Sequence, residues 1–325
     1  MRSVSTWLAV ALAVGLLPGC QMHIPVAKPA PSGTAHVQRR EPRATLKLVD
    51  ARGAEAASFY VFTTGRGRPP RPPEGFEPIE FLAENLQAEF AARGYPVTVT
   101  TDQHAAADMT LEIQRYRVVN RWIVTVVAAM EAAHEFRAEL SAGGRVFPIR
   151  AFFYNNRVSV WALGEGYEPC IHRPASILVK EIASKVNRAL LGFRADEAAV
   201  DEILARAGPK DAIDDGPYME IIELGGTNNP RAMEVLKKYA VHKDEFVRAV
   251  ALDAIGMLGP ENELPFLKER YAALEGRDKY MALKAIGDAG DPSSLDFLVS
   301  QRAAPIYKAE LAVRTLVELY VNRPR

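Results

Sequence analysis

The sequence predicts an α+β sandwich over residues 45–200, followed over residues 201–325 by an all-α solenoid of paired helices. Two observations carry this reading. The first unit runs strand, helix, several antiparallel strands, helix, the order expected when helices are segregated onto a sheet. The second unit repeats its apolar positions at a fixed offset, the mark of stacked units that bury their faces against one another.

In the first unit, Leu46 and Leu48, then Tyr60 and Phe62, alternate as short strands. The Gly/Arg/Pro-rich passage 65–78 excludes a helix and favours extended chain. Ile79, Leu82, Leu86 and Phe90 line one stripe of a helix, and Gly94 stands where a left-handed cap belongs. Residues 95–100 alternate as a strand, and Leu111 and Ile113 open another. The β-branched run from Trp122 to Val127 continues apolar to Met130 but is too short to cross a membrane. His134, Phe136, Ala138 and Leu140 alternate again, Gly143-Gly144 turns the chain, and residues 146–154 return. A second helix is expected at about 175–191, with Leu178, Ile182, Val186 and Ala189 on its apolar face. Asp196 to Pro217 is a polar, Gly/Pro-punctuated connection with a short helix at 198–207, suited to a domain boundary.

In the second unit, Leu224-Gly225, Ile255-Gly256 and Ile286-Gly287 are spaced by 31 (255 − 224 and 286 − 255). The same offset of 31 relates Met233, Leu264 and Leu295; Val235, Phe266 and Phe297; and Leu236, Leu267 and Leu298. Tyr218, Ala249, Tyr280 and Leu311 keep step on the preceding helix. Asn229-Pro230 and Asp291-Pro292 place a capping side chain before a first-turn proline. The pattern resembles the short HEAT-like repeats named after bilin lyases, and it covers roughly residues 218–320.

Two short passages suggest a relationship for the first unit. Phe81 to Leu86 through Ala92-Arg93-Gly94-Tyr95-Pro96-Val97, and then Ala107-Asp108-Met109-Thr110-Leu111-Glu112-Ile113, resemble small envelope lipoproteins of the YajG type. The same layout recurs in auxiliary lipoproteins of envelope transporters. The arginine-proline insertion at 65–73 and the long C-terminal extension depart from that pattern.

The N-terminus fits such a relationship. Arg2 and an apolar run from Trp7 to Leu17 form a signal-peptide core, and Leu17-Pro18-Gly19-Cys20 resembles a lipobox. The resemblance implies cleavage after residue 19 and a Cys20 carrying fatty-acyl chains such as palmitate, with Gln21 pointing to the outer membrane and its periplasmic face. Residues 20–44, with prolines and a group of arginines, read as a flexible tether.

Composition narrows the function. The chain balances 40 basic against 40 acidic residues, which argues against general nucleic-acid binding. With Cys20 acylated, Cys170 has no partner for an intrachain disulfide. No catalytic constellation emerges, and neither a metal nor another cofactor is expected. Glu168, Cys170 and His172 come nearest to a zinc half-site, but a packed cysteine in a strand-to-helix connection is the favoured reading. His104 and His134 are isolated. Arg66, Arg68 and Arg71, spread along the proline-rich loop, are candidates for binding a phosphate, a lipid head group or an acidic partner. Arg248, Lys279 and Lys284 lie among the repeat helices. The sequence therefore suggests a non-enzymatic envelope lipoprotein that binds or scaffolds, membrane-bound through Cys20 and docking an envelope protein. The alternatives are an accessory subunit of a transport or export complex and, less supported, an enzyme acting on envelope polymers.

Overall fold

The computed structural model describes residues 24, 26–33, 43–62, 71–124, 128–159, 167–208 and 217–322. Strand β1 (Ala44–Asp50) is followed by a short β2 (Tyr60–Phe62), helix α1 (Pro78–Ala92) and β3 (Val97–Thr100). Three long strands come next: β4 (Met109–Val124), β5 (Ala128–Ala142) and β6 (Arg145–Ser159). The sheet order is β3-β1-β4-β5-β6, and β2 pairs with the far half of β4. Pairings on the β3 side are parallel, and β4–β6 form an antiparallel meander. The apolar run up to Met130 is thus two strands, because Met130 pairs back onto Trp122.

Helix α1 and helix α2 (Arg173–Val186) lie side by side on one face of the sheet. Leu82, Leu86 and Phe90 from α1 meet Leu178, Ile182 and Val186 from α2 over Leu46, Leu111, Ile113 and Phe136, all closed to solvent. Gly94 follows α1 at φ 68°, as the cap reading required. Single π turns at Glu168–His172 and Asn187–Leu191 extend α2 at both ends. Its stripe is as expected. Its polar face is buried too, with Lys180, Glu181, Ser184 and Lys185 all inside the protein.

The helical region packs over that polar face. It comprises α3 (Glu197–Ala207), α4 (Tyr218–Gly225), α5 (Arg231–Tyr239), α6 (Glu245–Leu258), α7 (Leu264–Ala273), α8 (Gly276–Ala289), α9 (Pro292–Gln301), α10 (Pro305–Ala309) and α11 (Leu311–Val321). Helices α4, α6 and α8 stack as an inner row, and α5, α7 and α9 form the outer row. Asp291 caps α9 by accepting from Ser294 N–H at 3.0 Å. Asn229 accepts from Arg231 N–H at 3.0 Å, so α5 begins one residue later than its proline.

The repeated glycines have a physical cause. A Cβ on Gly225 would lie 2.7 Å from Ala254 Cα, and one on Gly287 would lie 2.7 Å from the Tyr320 ring. Gly225 lets α6 approach its backbone, and Gly287 makes room for the Tyr320 ring of α11.

The apolar core does not stop at residue 200. Val119, Ala133, Phe152, Phe153, Tyr154 and Ile177 share one buried cluster with the inner helices. Helices α8 and α11 also contact β6, the edge strand of the sheet, and cover a row of backbone groups open to wrong pairing. An isolated 45–200 unit would expose this surface. Part of the expected tether is docked as well: Ile24 is buried and donates its N–H to Arg71 O at 3.0 Å.

Gly225→Ala is expected to destabilise the protein by about 1–3 kcal/mol through overpacking, because the opposing atoms belong to a helix backbone. Urea unfolding checks this, and an unchanged midpoint would contradict the stacking argument.

Candidate functional site

The seam between α2 and the repeats is ionic and buried. Lys284 on α8 reaches Glu181 at 2.5 Å, Asp288 at 2.9 Å, and Asp253 on α6. Lys185 on α2 lies 2.5 Å from both Glu181 and Asp288. Tyr320 on α11 donates to Asp288 at 2.5 Å. Two ammonium groups thus face three carboxyls. Burial pushes the Asp253 carboxyl up to about 7 against the pull of Lys284, so a proton held there balances the cluster. Burial works against the charge on Lys284 as well, but its three carboxyl neighbours hold its pKa well above the ordinary value.

A second buried cluster ties down the N-terminal segment. Glu89 accepts from Ser32 N–H at 2.9 Å and from Ser32 Oγ at 2.5 Å, and it pairs with Arg93 at 2.6 Å and Lys180 at 3.2 Å. Burial alone would raise Glu89, yet Arg93, Lys180 and the Ser32 bonds bring it down to about 2.

Between these elements lies an open cleft of about 460 Å³, where the end of β6 and the π turn before α2 meet α4, α6 and α8. Arg157, Arg173 and Arg277 line it together with Glu168, Asp244 and Glu245, around Tyr218 and Phe246. Arg173 sits 5.5 Å from the Tyr218 ring centroid and 5.8 Å from that of Phe246, and Arg277 stacks on Phe246 at 5.0 Å. Arg277 also donates to Asn156 Oδ1 at 2.5 Å, joining α8 to β6. Such a lining offers charge of both signs beside aromatic faces. It suits a polar peptide or a hydroxyl-rich segment more than a simple anion.

The sequence-predicted residues are dispersed. Arg71 is exposed beside Ile24, while Cys20, Arg66 and Arg68 lie outside the described residues. The Cys170 thiol is buried and donates to Met130 O at 3.7 Å, and burial pushes it up to about 12. His172 instead turns to Glu168, with its Nδ1 3.3 Å from the carboxylate, so Cys170 and His172 do not share a metal position. Among the described residues no group of three or more His, Cys, Asp and Glu side chains is placed to hold a metal ion. His134 is buried, with Nε2 2.9 Å from Cys170 O, and burial lowers it to about 4. Arg248 bonds Asp278 at 2.6 Å, and Lys279 covers the Tyr271 ring at 4.7 Å, so both serve internal contacts. Sequence reasoning missed the cleft, whose arginines are far apart in the chain, and the role of Lys284. One signal for Lys284 was present. It occupies the position 31 residues after Asp253, where the preceding repeat has Ile222.

Comparison with known proteins gives a family of HEAT repeats matching residues 217–278. Among curated proteins no sequence matches. Solved structures to which part of this chain is similar include an uncharacterized protein (13% identity, 47% of this chain, 93% of that chain, TM-score 0.25). Another is a Xanthomonas campestris protein of family DUF330 (13% identity, 53% and 93%, TM-score 0.30). A third is a minor lipoprotein from Acinetobacter baumannii (10% identity, 46% and 91%, TM-score 0.24). Among the described residues no helix is long and apolar enough to cross a membrane.

The buried cluster makes stability pH-dependent with a definite sign. Asp253 keeps its proton in the folded state up to about pH 7 but loses it near pH 4 when unfolded, so its contribution is complete below about pH 4 and is lost as the pH rises to about 7. Asp253→Asn cannot titrate. Across that window wild type should lose stability relative to the variant by up to about 1.4 kcal/mol per pH unit. Urea unfolding of both proteins at several pH values checks this, and a pH-independent difference would refute it.

Proposed function

We propose that this chain is a non-enzymatic lipoprotein of the cell envelope, held at the outer membrane through Cys20 and facing the periplasm, which binds a polar segment of an envelope partner in the junction cleft. The observation that carries the binding reading is the cleft lining itself, with three arginines and three carboxylates set around Tyr218 and Phe246. The ionic seam supports it, because α2, α6 and α8 are fixed to one another behind the cleft. The Leu17-Pro18-Gly19-Cys20 sequence supports the anchor.

A role as an accessory subunit of a transport or export complex is the second reading, and the outer helices favour it. Lys237 covers the Phe266 ring at 5.8 Å and Lys268 covers Phe297 at 5.3 Å, the same contact repeated one unit on. Val241 and Val299 stand exposed on this side, 56% and 46% accessible. A regular surface of this kind is how helical repeats usually hold another protein.

Two measurements test the proposal. Cys20→Ser should abolish acylation and move the chain out of the membrane fraction after high-salt and carbonate washes; retention there would refute the anchor. Phe246→Ala, which removes the ring under Arg173 and Arg277, should reduce crosslinking to the wild type's envelope partner while leaving membrane attachment intact. Undiminished crosslinking would move the contact from the cleft to the outer helices.

A further inference from the structure

The three arginines of the junction cleft leave much of their hydrogen-bonding capacity unspent. Arg157, near the end of β6, is exposed, and among the described residues its guanidinium has neither a hydrogen bond nor an ion pair. The guanidinium of Arg173 makes no hydrogen bond among them either, and its Nε stands 3.8 Å from Glu168. Arg277 gives Nη2 to the backbone and side-chain oxygens of Asn156, which leaves Nη1 open. Arg173 and Arg277 are nevertheless held in place over Tyr218 and Phe246, two rings in T-shaped contact with centroids 4.6 Å apart. A cation resting on a ring is positioned without its N–H donors being used up.

The carboxylates of the same cleft are better served. Asp244 accepts from Val247 N–H at 2.9 Å and so caps α6. Glu245 accepts from Arg277 N–H at 3.3 Å, and Glu168 faces His172 Nδ1 at 3.3 Å. Each acid already has a donor inside the protein, so what the cleft lacks is acceptors. The Asp244 cap has a second effect. It takes a backbone N–H at the start of α6 that would otherwise be open to a chain terminus, and leaves the guanidinium groups as the donors facing a ligand.

We infer that the junction cleft recognises an acidic side chain within a peptide segment, with its arginines as the donors to that carboxylate. This rests on the cleft reading proposed above and names the chemistry of the segment. A guanidinium fork matches the two oxygens of a carboxylate and stays charged at any working pH. Glu168 and Glu245 keep lone pairs for backbone N–H groups of the same segment, donors that a bare anion does not have. A phosphate group would bring nearly two negative charges to a lining that already sets three carboxylates against three arginines. The single charge of an acidic residue suits that balance better.

The probe is a short fluorescent peptide of alternating glycine and glutamate, acetylated and amidated at its ends, with its glutamine counterpart as control. Fluorescence anisotropy with the full wild-type chain reads the binding. The glutamate peptide is expected to bind about tenfold or more tightly than the glutamine peptide, the equivalent of one charge-assisted bond. Arg157→Gln should lose most of that preference with its thermal midpoint unmoved, because the guanidinium it removes has no internal partner. Arg173→Gln should lose the preference as well. Arg145→Gln, which removes a charge outside the cleft at the start of β6, should keep it. The inference is overturned if Arg157→Gln keeps the full preference, or if a glutamine peptide with a free C-terminal carboxylate binds as tightly as the glutamate peptide. It is overturned too if inorganic phosphate displaces the glutamate peptide more effectively than acetate at matched ionic strength. Equal binding of the two amidated peptides, lost in Phe246→Ala, overturns the inference and leaves the cleft reading in place. Binding of neither peptide, or binding that Phe246→Ala does not weaken, overturns both.

Discussion

The contact on which the rest of this structure depends is the buried meeting of Lys284 and Lys185 with Glu181, Asp253 and Asp288. It joins α2, α6 and α8, and Tyr320 brings in α11 through Asp288. Placing five ionisable groups out of water is costly, and their mutual attraction does little more than offset that cost. Its consequence is geometric. An apolar seam of the same area would tolerate sliding of one helix past another. Here a shift of about one residue, roughly 1.5 Å along the helix axis, would leave a buried charge without its partner. The repeat array therefore has one register on the sheet layer. The cleft inherits that register, because Arg277 on α8 must meet Asn156 on β6 and Phe246 on α6 together.

Much of this was legible in the sequence. The 31-residue offset located every inner and outer helix from α4 to α9, and the glycines it picked out are where helices touch. The stripes on α1 and α2 named the core of the sheet layer. The reading failed where a second surface was needed to interpret the first. Lys180, Glu181, Ser184 and Lys185 form a polar face on α2, which in a single sequence looks like solvent exposure. Only the repeats packed against it make it a seam. The opposite charges at the equivalent positions Asp253 and Lys284 were the available clue, since an inner helix has little reason to carry either. The row of Arg115, Arg137 and Arg150 across β4, β5 and β6 was harder to foresee. A register shift between Ile113 and Arg115 decides which β4 side chain faces Arg137, and alternation alone does not reveal such a bulge.

The docked N-terminal segment connects the seam to the proposed anchor. Ser32 delivers two hydrogen bonds to Glu89, Gly33 N–H reaches Glu223 on α4 at 3.3 Å, and Arg93 bonds Ser184 on α2 at 2.8 Å. This strap therefore touches α1 and α4, and also α2 directly, because Lys180 Nζ donates to Ser32 Oγ at 3.0 Å. Ile24, at its other end, is buried beside Arg71. Only four residue steps separate Ile24 from Cys20. Fully extended, they span about 14 Å. If Cys20 is acylated, the part of the sheet layer near Ile24 and Arg71 is held close to the head groups, whereas a free tether of some twenty residues would have let the body stand well away from them. Tension on the anchor would then pass along the strap into Glu89 and α2, the helix that carries Glu181 and Lys185.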